Sequence, residues 1–170
     1  TPRYSSKTAR HSLSAICKEW TGRKPYPWQL DCAEAFVLSI DCIILAGTGF
    51  RKTLPFTIPS LLYLDKITIV ISPLNALEED QACRFQEAGL KAAVVNHETF
   101  DSKLLQELKE MSYQVIFTSP EMVLKNSQLN SLLATPAYHK CMLGIVVDKA
   151  HCISQWGGDF QPVYGELDKL

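Results

Sequence analysis

Leu45-Ala46-Gly47-Thr48-Gly49-Phe50-Arg51-Lys52-Thr53 follows the apolar run Cys42-Ile43-Ile44-Leu45 and precedes a segment with helical spacing. Strand, glycine loop and helix in that order make a phosphate-binding P-loop. Its backbone N–H groups cradle phosphates, a lysine reaches the terminal phosphates and a hydroxyl holds Mg²⁺. Gly47, Gly49, Lys52 and Thr53 stand where that chemistry needs them, and the whole run from Ala46 through Thr48 and Phe50 to Thr53 is the candidate nucleotide site. Arg51 is out of place. The residue before the lysine is normally glycine, because the backbone there passes close to the phosphates and a side chain has little room.

Working outward, strands alternate with helices on both sides of this loop. Ahead of it, an amphipathic stretch around Leu13, Ile16, Cys17 and Trp20 predicts a short helix, stopped by Thr21-Gly22-Arg23-Lys24. Pro27 is well placed to open a second helix, running to about Ser39 and burying Leu30, Ala33, Phe36, Val37 and Ile40. Gln29 lies in its first turn. A glutamine amide can read donor and acceptor on the edge of an adenine, although a solvated first-turn glutamine is the simpler reading of that residue alone.

Beyond the loop, a helix is expected from about Lys52 to Tyr63. The β-branched run Ile67-Thr68-Ile69-Val70-Ile71 predicts a buried strand ending at Ser72-Pro73-Leu74. A helix with Leu77, Gln81 and Phe85 follows. Strands are expected at Ala92–Val95, at Val115–Thr118 ahead of Ser119-Pro120-Glu121, and at Leu143–Val147 ahead of Asp148. A helix over Asp101–Met111 separates the first two of these, and a helical stretch through Leu133 precedes the last. Nearly every strand is apolar on both faces, which implies an α/β fold: a parallel sheet covered by helices on both sides. Its carboxyl edge would gather 46–53, 72–75, 119–121 and 148–151, the place where ligands bind in such sheets.

The whole-chain numbers fit one soluble domain or most of one. The 170 residues are 46% hydrophobic and 21% charged. A net charge of -1 excludes a strongly basic surface overall but not a local one. The six cysteines form no C-x-x-C pair, and several fall in apolar runs, so reduced, buried thiols are expected. No apolar run approaches membrane-spanning length, so no membrane partner is expected. The chain begins at Thr1, and a longer parent protein is expected around it.

Asp148-Lys149-Ala150-His151 carries the second half of the chemistry. An aspartate ending a strand beside a P-loop strand is the usual second anchor for Mg²⁺. The next residue in a hydrolase is commonly a carboxylate that orients water. Here it is Lys149, which while charged accepts no proton and competes electrostatically with Mg²⁺. His151 would link the nucleotide site to neighbouring loops. In the following Gly-rich loop, Trp156 and Phe160 could stack unpaired bases, or simply pack the loop against the domain.

Asp148 to Pro162 resembles motif II and the aromatic-rich loop of the RecQ family of DNA helicases, whose pattern is D-E-A-H-C-I-S-Q-W-G-H-D-F-R-P; most of the fifteen positions agree. Pro27-Trp28-Gln29, Ala46–Thr53, Ser72-Pro73-Leu74 with Gln81, and Ser119-Pro120-Glu121 resemble further motifs of that family, in order. The resemblance implies the first RecA-like lobe, a P-loop NTPase domain of a superfamily 2, DEAD/DEAH-box-like 3′-to-5′ helicase. Residues 1–24 would be an extension with a short helix, and 25–170 the ATP-binding lobe, incomplete at its C-terminus. It implies ATP and Mg²⁺ as cofactors, with Lys52 on the phosphates, Thr53 and Asp148 on the metal, and Gln29 on adenine. Lys52, Asp148 and His151 would be the catalytic set. Ser72, Pro73, Gln81, Ser119, Glu121, Gln155, Trp156 and Phe160 would meet single-stranded or partly duplex DNA, RNA not excluded. A second RecA-like lobe supplying arginines, and a nuclear location, come with the family.

The departures cluster in the chemistry. Arg51 replaces the P-loop glycine, Lys149 the catalytic glutamate, Gly158 a histidine and Gln161 an arginine, while the scaffold pattern is intact. A lobe impaired in hydrolysis is expected. The alternative is a pseudo-helicase serving as a nucleic-acid-binding or scaffolding module. An unrelated P-loop kinase or GTPase is opposed by the aromatic loop and the Gln29 segment.

Overall fold

The computed structural model describes residues 4–47, 51–72 and 75–148, apart from the side chains of 75–79. The chain divides into two compact units, Thr1–Leu64 and Asp65–Leu170.

The first unit is helical. Helix α1, Ser6–Thr21, starts where the Ser5 hydroxyl accepts from the Thr8 amide and stops at Gly22, whose φ of 69° is the left-handed cap that glycine adopts at little cost. It is longer than its amphipathic stretch predicts because Ser5 supplies a cap well ahead of Leu13. Helix α2 is Pro27–Val37 and α3 is Leu54–Leu62. Leu13, Cys17, Ala33, Leu54 and Ile58 make their shared core, with Ile16, Leu30 and Leu62 against it. On the rim, Arg10 pairs with Asp31 at 2.7 Å and Glu34 at 3.0 Å, and the Tyr4 hydroxyl donates to Glu34.

Two expectations fail in this unit. Helix α2 ends early, at Val37: Ser39 takes a φ of 56°, the Ile40 amide turns back to the Ala35 carbonyl, and Ile40 is exposed rather than buried. Cys42–Leu45 is not a strand. Ile43 is 90% exposed and Leu45 95%. A strand exists only as one side of a hydrogen-bonded ladder, and this run has none in the sheet described below.

The second unit is a parallel α/β layer structure. Its elements are β1 (Ile67–Ile71), α4 (Asn75–Glu87), β2 (Ala92–Val95), α5 (Ser102–Lys109), β3 (Val115–Thr118), α6 (Pro120–Lys125), α7 (Ser127–Leu133), α8 (Pro136–Cys141) and β4 (Met142–Val147). The four strands pair in the order β2-β3-β1-β4, all parallel, as their two-sided apolar runs predict. The register Thr68↔Val115 and Ile69↔Ile116 puts Ile67, Ile69, Ile71, Ile116 and Val95 on one face. There they pack with Leu108, Met122, Val123, Leu129, Leu133 and Tyr138 from α5 to α8. Burial pushes the Tyr138 phenol up to about 12, and its hydroxyl donates to the Leu108 carbonyl at 2.6 Å. On the opposite face Phe85 of α4 meets Phe117 edge-on, with ring centroids 5.4 Å apart. The two-faced cover follows from strand order. The β1-to-β2 connection travels one way along the sheet and the later ones the other way, and right-handed crossovers then lie on opposite faces.

The stretch expected to be helical through Leu133 is broken at Asn126, whose extended backbone (ψ 104°) ends α6 while its side chain caps α7 at the Leu129 amide. Helix α8 was not expected; Thr135 caps it and Pro136 opens it. The cysteines are less uniform than their apolar neighbours suggest. Cys17 is buried, Cys32 and Cys141 are half-buried, and Cys42 and Cys83 are exposed.

Candidate functional site

The candidate residues fall in both units, and each group is described within its own unit. In the first, Arg51 has a φ of 50°. That is the left-handed region, where a side chain strains the backbone and glycine does not. The Arg51 carbonyl accepts from the Leu54 amide at 3.1 Å and from the Gln29 side chain at 3.4 Å. Gln29 is 1% exposed, so it is not a solvated residue. Its Oε1 accepts from the Tyr26 amide at 2.8 Å, so one side chain ties the first turn of α2 to the loop. Lys52 is exposed and Thr53 half-buried at the start of α3. Thr53 has helical backbone angles, and its hydroxyl makes no cap bond to α3. Ala46 is half-buried and Gly47 exposed.

In the second unit the carboxyl ends of β1 and β4 lie side by side. The Asp148 amide donates to the Ile71 carbonyl at 2.9 Å, continuing the ladder one residue past β4. Its carboxylate accepts from Gln81 Nε2 of α4 at 3.4 Å. Ser72, 1% exposed, ends β1, and its amide donates to the Thr118 carbonyl at 3.0 Å. Ser119 is buried, and its hydroxyl caps α6 by accepting from the Met122 amide. Glu121 is exposed in the first turn of α6. The fold thus brings Ser72, Ser119 and Asp148 to one sheet edge, with Gln81 reaching it from α4. Thr48, Gly49, Phe50, Pro73, Lys149, His151, Gln155, Trp156 and Phe160 lie outside the described residues.

Each unit carries groups of the kind that Mg²⁺ and a nucleotide take. In the first, the exposed Lys52 ammonium suits phosphate and the Thr53 hydroxyl is an oxygen donor. In the second, the strand-end Asp148 carboxylate is another oxygen donor of the type Mg²⁺ takes alongside phosphate oxygens and water. Among the described residues no group of three His, Cys, Asp or Glu side chains forms an all-protein metal cage, which such a site does not need. Sequence reasoning missed the inward use of Gln29 and the Gln81–Asp148 contact. The capping-box spacing from Tyr26 to Gln29 was a signal for the first; a bond across 67 residues had none. A cleft of about 530 Å³ lined by Gln86, Lys91, Glu107, Glu110 and Tyr113 sits by the amino ends of β2 and β3, away from these residues.

Comparison with known proteins bears on the same residues. Residues 26–170 match the DEAD/DEAH box helicase family. The chain is 34% identical over 143 residues to an ATP-dependent DNA helicase Q-like SIM of Arabidopsis thaliana, covering 84% of this chain and 16% of that protein. It is 38% identical over 133 residues to an ATP-dependent DNA helicase RecQ of Haemophilus influenzae, covering 76% and 20%. It is 32% identical over 170 residues to an ATP-dependent DNA helicase Q1 of Rattus norvegicus, covering 97% and 27%. The chain therefore spans less than a third of each of these relatives. In structure it resembles the DUF1998 helicase MrfA, solved with DNA and AMPPNP, at a TM-score of 0.66 and 18% identity over 90% of this chain and 22% of that one. At that identity the likeness speaks for the RecA-like fold alone. An α/β sheet of parallel strands, a loop-to-helix stretch ending in Lys52-Thr53, a strand-end Asp148 and a match over residues 26–170 lead to one conclusion: this chain belongs to the DEAD/DEAH box helicase family, and its relatives there are RecQ-type DNA helicases.

Proposed function

We propose that this chain is the N-terminal ATP-binding lobe of a RecQ-like 3′-to-5′ DNA helicase, impaired in hydrolysis, that binds ATP with Mg²⁺ and single-stranded nucleic acid. The observation that carries the impairment is Arg51, an arginine in the left-handed conformation where the P-loop pattern calls for glycine. Lys149, in place of a water-orienting carboxylate, adds to it.

Lys52 would bind the terminal phosphates, Thr53 and Asp148 would hold Mg²⁺, and the metal when bound would neutralise phosphate charge. Gln29 would read adenine through its side-chain amide, the role the family resemblance gives it. Support for ATP and DNA as ligands comes from the names of the RecQ relatives and from the helicase solved with DNA and AMPPNP. A second RecA-like lobe in the parent protein would complete the motor. A nuclear location belongs to the same proposal. No helix among the described residues is long and apolar enough to cross a membrane.

Calorimetric titration of this chain with AMPPNP, with and without Mg²⁺, tests the binding half. Binding that requires Mg²⁺ is expected. Absence of binding at millimolar nucleotide would overturn it and favour the pseudo-helicase reading. For hydrolysis, Arg51→Gly with Lys149→Glu in a protein carrying the second lobe should raise DNA-stimulated turnover about 10²–10⁴-fold, the usual worth of a general base. An unchanged rate would remove these two residues as the cause.

A further inference from the structure

We propose that Gln81 is a positioning residue for the Asp148 carboxylate rather than a nucleic-acid contact, a role that rests on the Mg²⁺–nucleotide reading above. The backbone of Asp148 is already fixed, since its amide continues the β4 ladder onto Ile71. The side chain is tied separately: Gln81 Nε2 reaches Asp148 Oδ2, at 3.4 Å and from a different element. Helix α4 in turn is seated on the sheet through Phe85, one turn further on, against Phe117 of β3. The hydrogen bond therefore runs from a helix anchored in the core to a carboxylate at the sheet edge.

The choice of an amide matters. A lysine or arginine at position 81 would neutralise Asp148 and repel a divalent cation. An amide N–H orients the carboxylate and adds no charge, as the outer hydrogen-bond partners of metal-ligating carboxylates do. The other end of the amide supports the same role. Gln81 Oε1 is buried and has no hydrogen-bond partner among the described residues, and so has the hydroxyl of Ser72 at the adjoining end of β1. Buried acceptors are seldom left unmatched. Two beside the Asp148 carboxylate would suit the hydrogens of water on a bound Mg²⁺, an ion that keeps several of its waters when bound.

The test uses this chain with Gln81→Ala, Asp148→Ala and the Gln81→Ala/Asp148→Ala double variant. Urea unfolding of these three and the unaltered chain closes a double-mutant cycle and should show a coupling of about threefold or more in the unfolding equilibrium constant. Absence of coupling overturns the proposal, whatever nucleotide does. In AMPPNP titrations, Gln81→Ala should raise the Mg²⁺ concentration required about tenfold and leave Mg²⁺-free binding unchanged. A purely structural Gln81 would lower both together, which also overturns it. Should the unaltered chain bind no AMPPNP, the nucleotide reading fails separately, and Mn²⁺ binding to the chain alone, read by electron paramagnetic resonance, decides. Mn²⁺ held more weakly by Gln81→Ala supports the positioning role. Equal binding, or none in any form, sinks it.

Discussion

Ile67-Thr68-Ile69-Val70-Ile71 and Cys42-Ile43-Ile44-Leu45 are nearly interchangeable as sequence: short, apolar and rich in β-branched residues. In the structure they are opposites. The first is β1, flanked by β3 and β4 and buried at all five positions. The second pairs with no strand of that sheet and exposes Ile43 and Leu45 almost completely. Propensity for a strand is chiefly a measure of fit to a pleated, half-buried surface, so it has force only where neighbours supply that surface. Strand β1 has them on both edges and both faces.

Stability measurements can break this contrast or sharpen it. Ile69→Ala should cost about 2–5 kcal/mol, the range for emptying a packed core position, whereas Ile43→Ala should stay within about 0.5 kcal/mol, as exposed substitutions do. Urea denaturation of the two variants side by side is the measurement. Comparable losses would mean that 42–45 is buried in solution and the contrast is void. A smaller effect is expected just after that run. Arg51→Gly removes a left-handed arginine and should stabilise the chain by about 0.5–1 kcal/mol, while Arg51→Ala should bring no such gain. If alanine does as well as glycine, strain is not what Arg51 contributes.

The smallest effect concerns acid, and it separates the rim-tied helical unit from the core-packed sheet. Hydrogen bonds from Ser6 first, and then Tyr4 and Arg10, hold the Glu34 carboxyl below its ordinary value. A depressed carboxyl contributes stability above the unfolded-state value, about 4.3 for glutamate, and loses it as pH falls through the lower folded-state value. The partly exposed pair limits the loss to below about 1 kcal/mol. Fluorescence of Trp20 and Trp28 followed below pH 5 should report loosening in the first unit, and Glu34→Gln should flatten the curve. An identical acid profile for that variant would assign the transition to other carboxylates.

Much of the second unit was legible in its residues. The strands at 67–71, 92–95, 115–118 and 143–147 are found at or within a residue of their expected limits, because each is a β-branched or apolar run bounded by turn residues and each has a parallel partner. Helix ends were less legible. Val37 and Asn126 end helices inside runs that keep helical spacing, since a reversal at Ser39 or a cap at Asn126 depends on a few torsions and one hydrogen bond. The roles of polar side chains were the least legible. Ser119 spends its hydroxyl on a cap and Gln29 its amide on the Tyr26 amide and the Arg51 carbonyl.

The order of residues along this chain carries its candidate chemistry: a lysine and threonine after a glycine loop, an aspartate after an apolar strand, and an arginine and a lysine where a glycine and a carboxylate are usual. Such motifs are local, and their meaning rests on which functional groups a few adjacent residues carry. Partnership is another matter. Whether an apolar run becomes a strand depends on the ladder beside it, and whether Gln81 meets DNA or Asp148 depends on a helix and a strand 67 residues apart coming to one edge. Burial and hydrogen bonding are satisfied by the assembled sheet as a whole, and no stretch of the sequence carries that information alone.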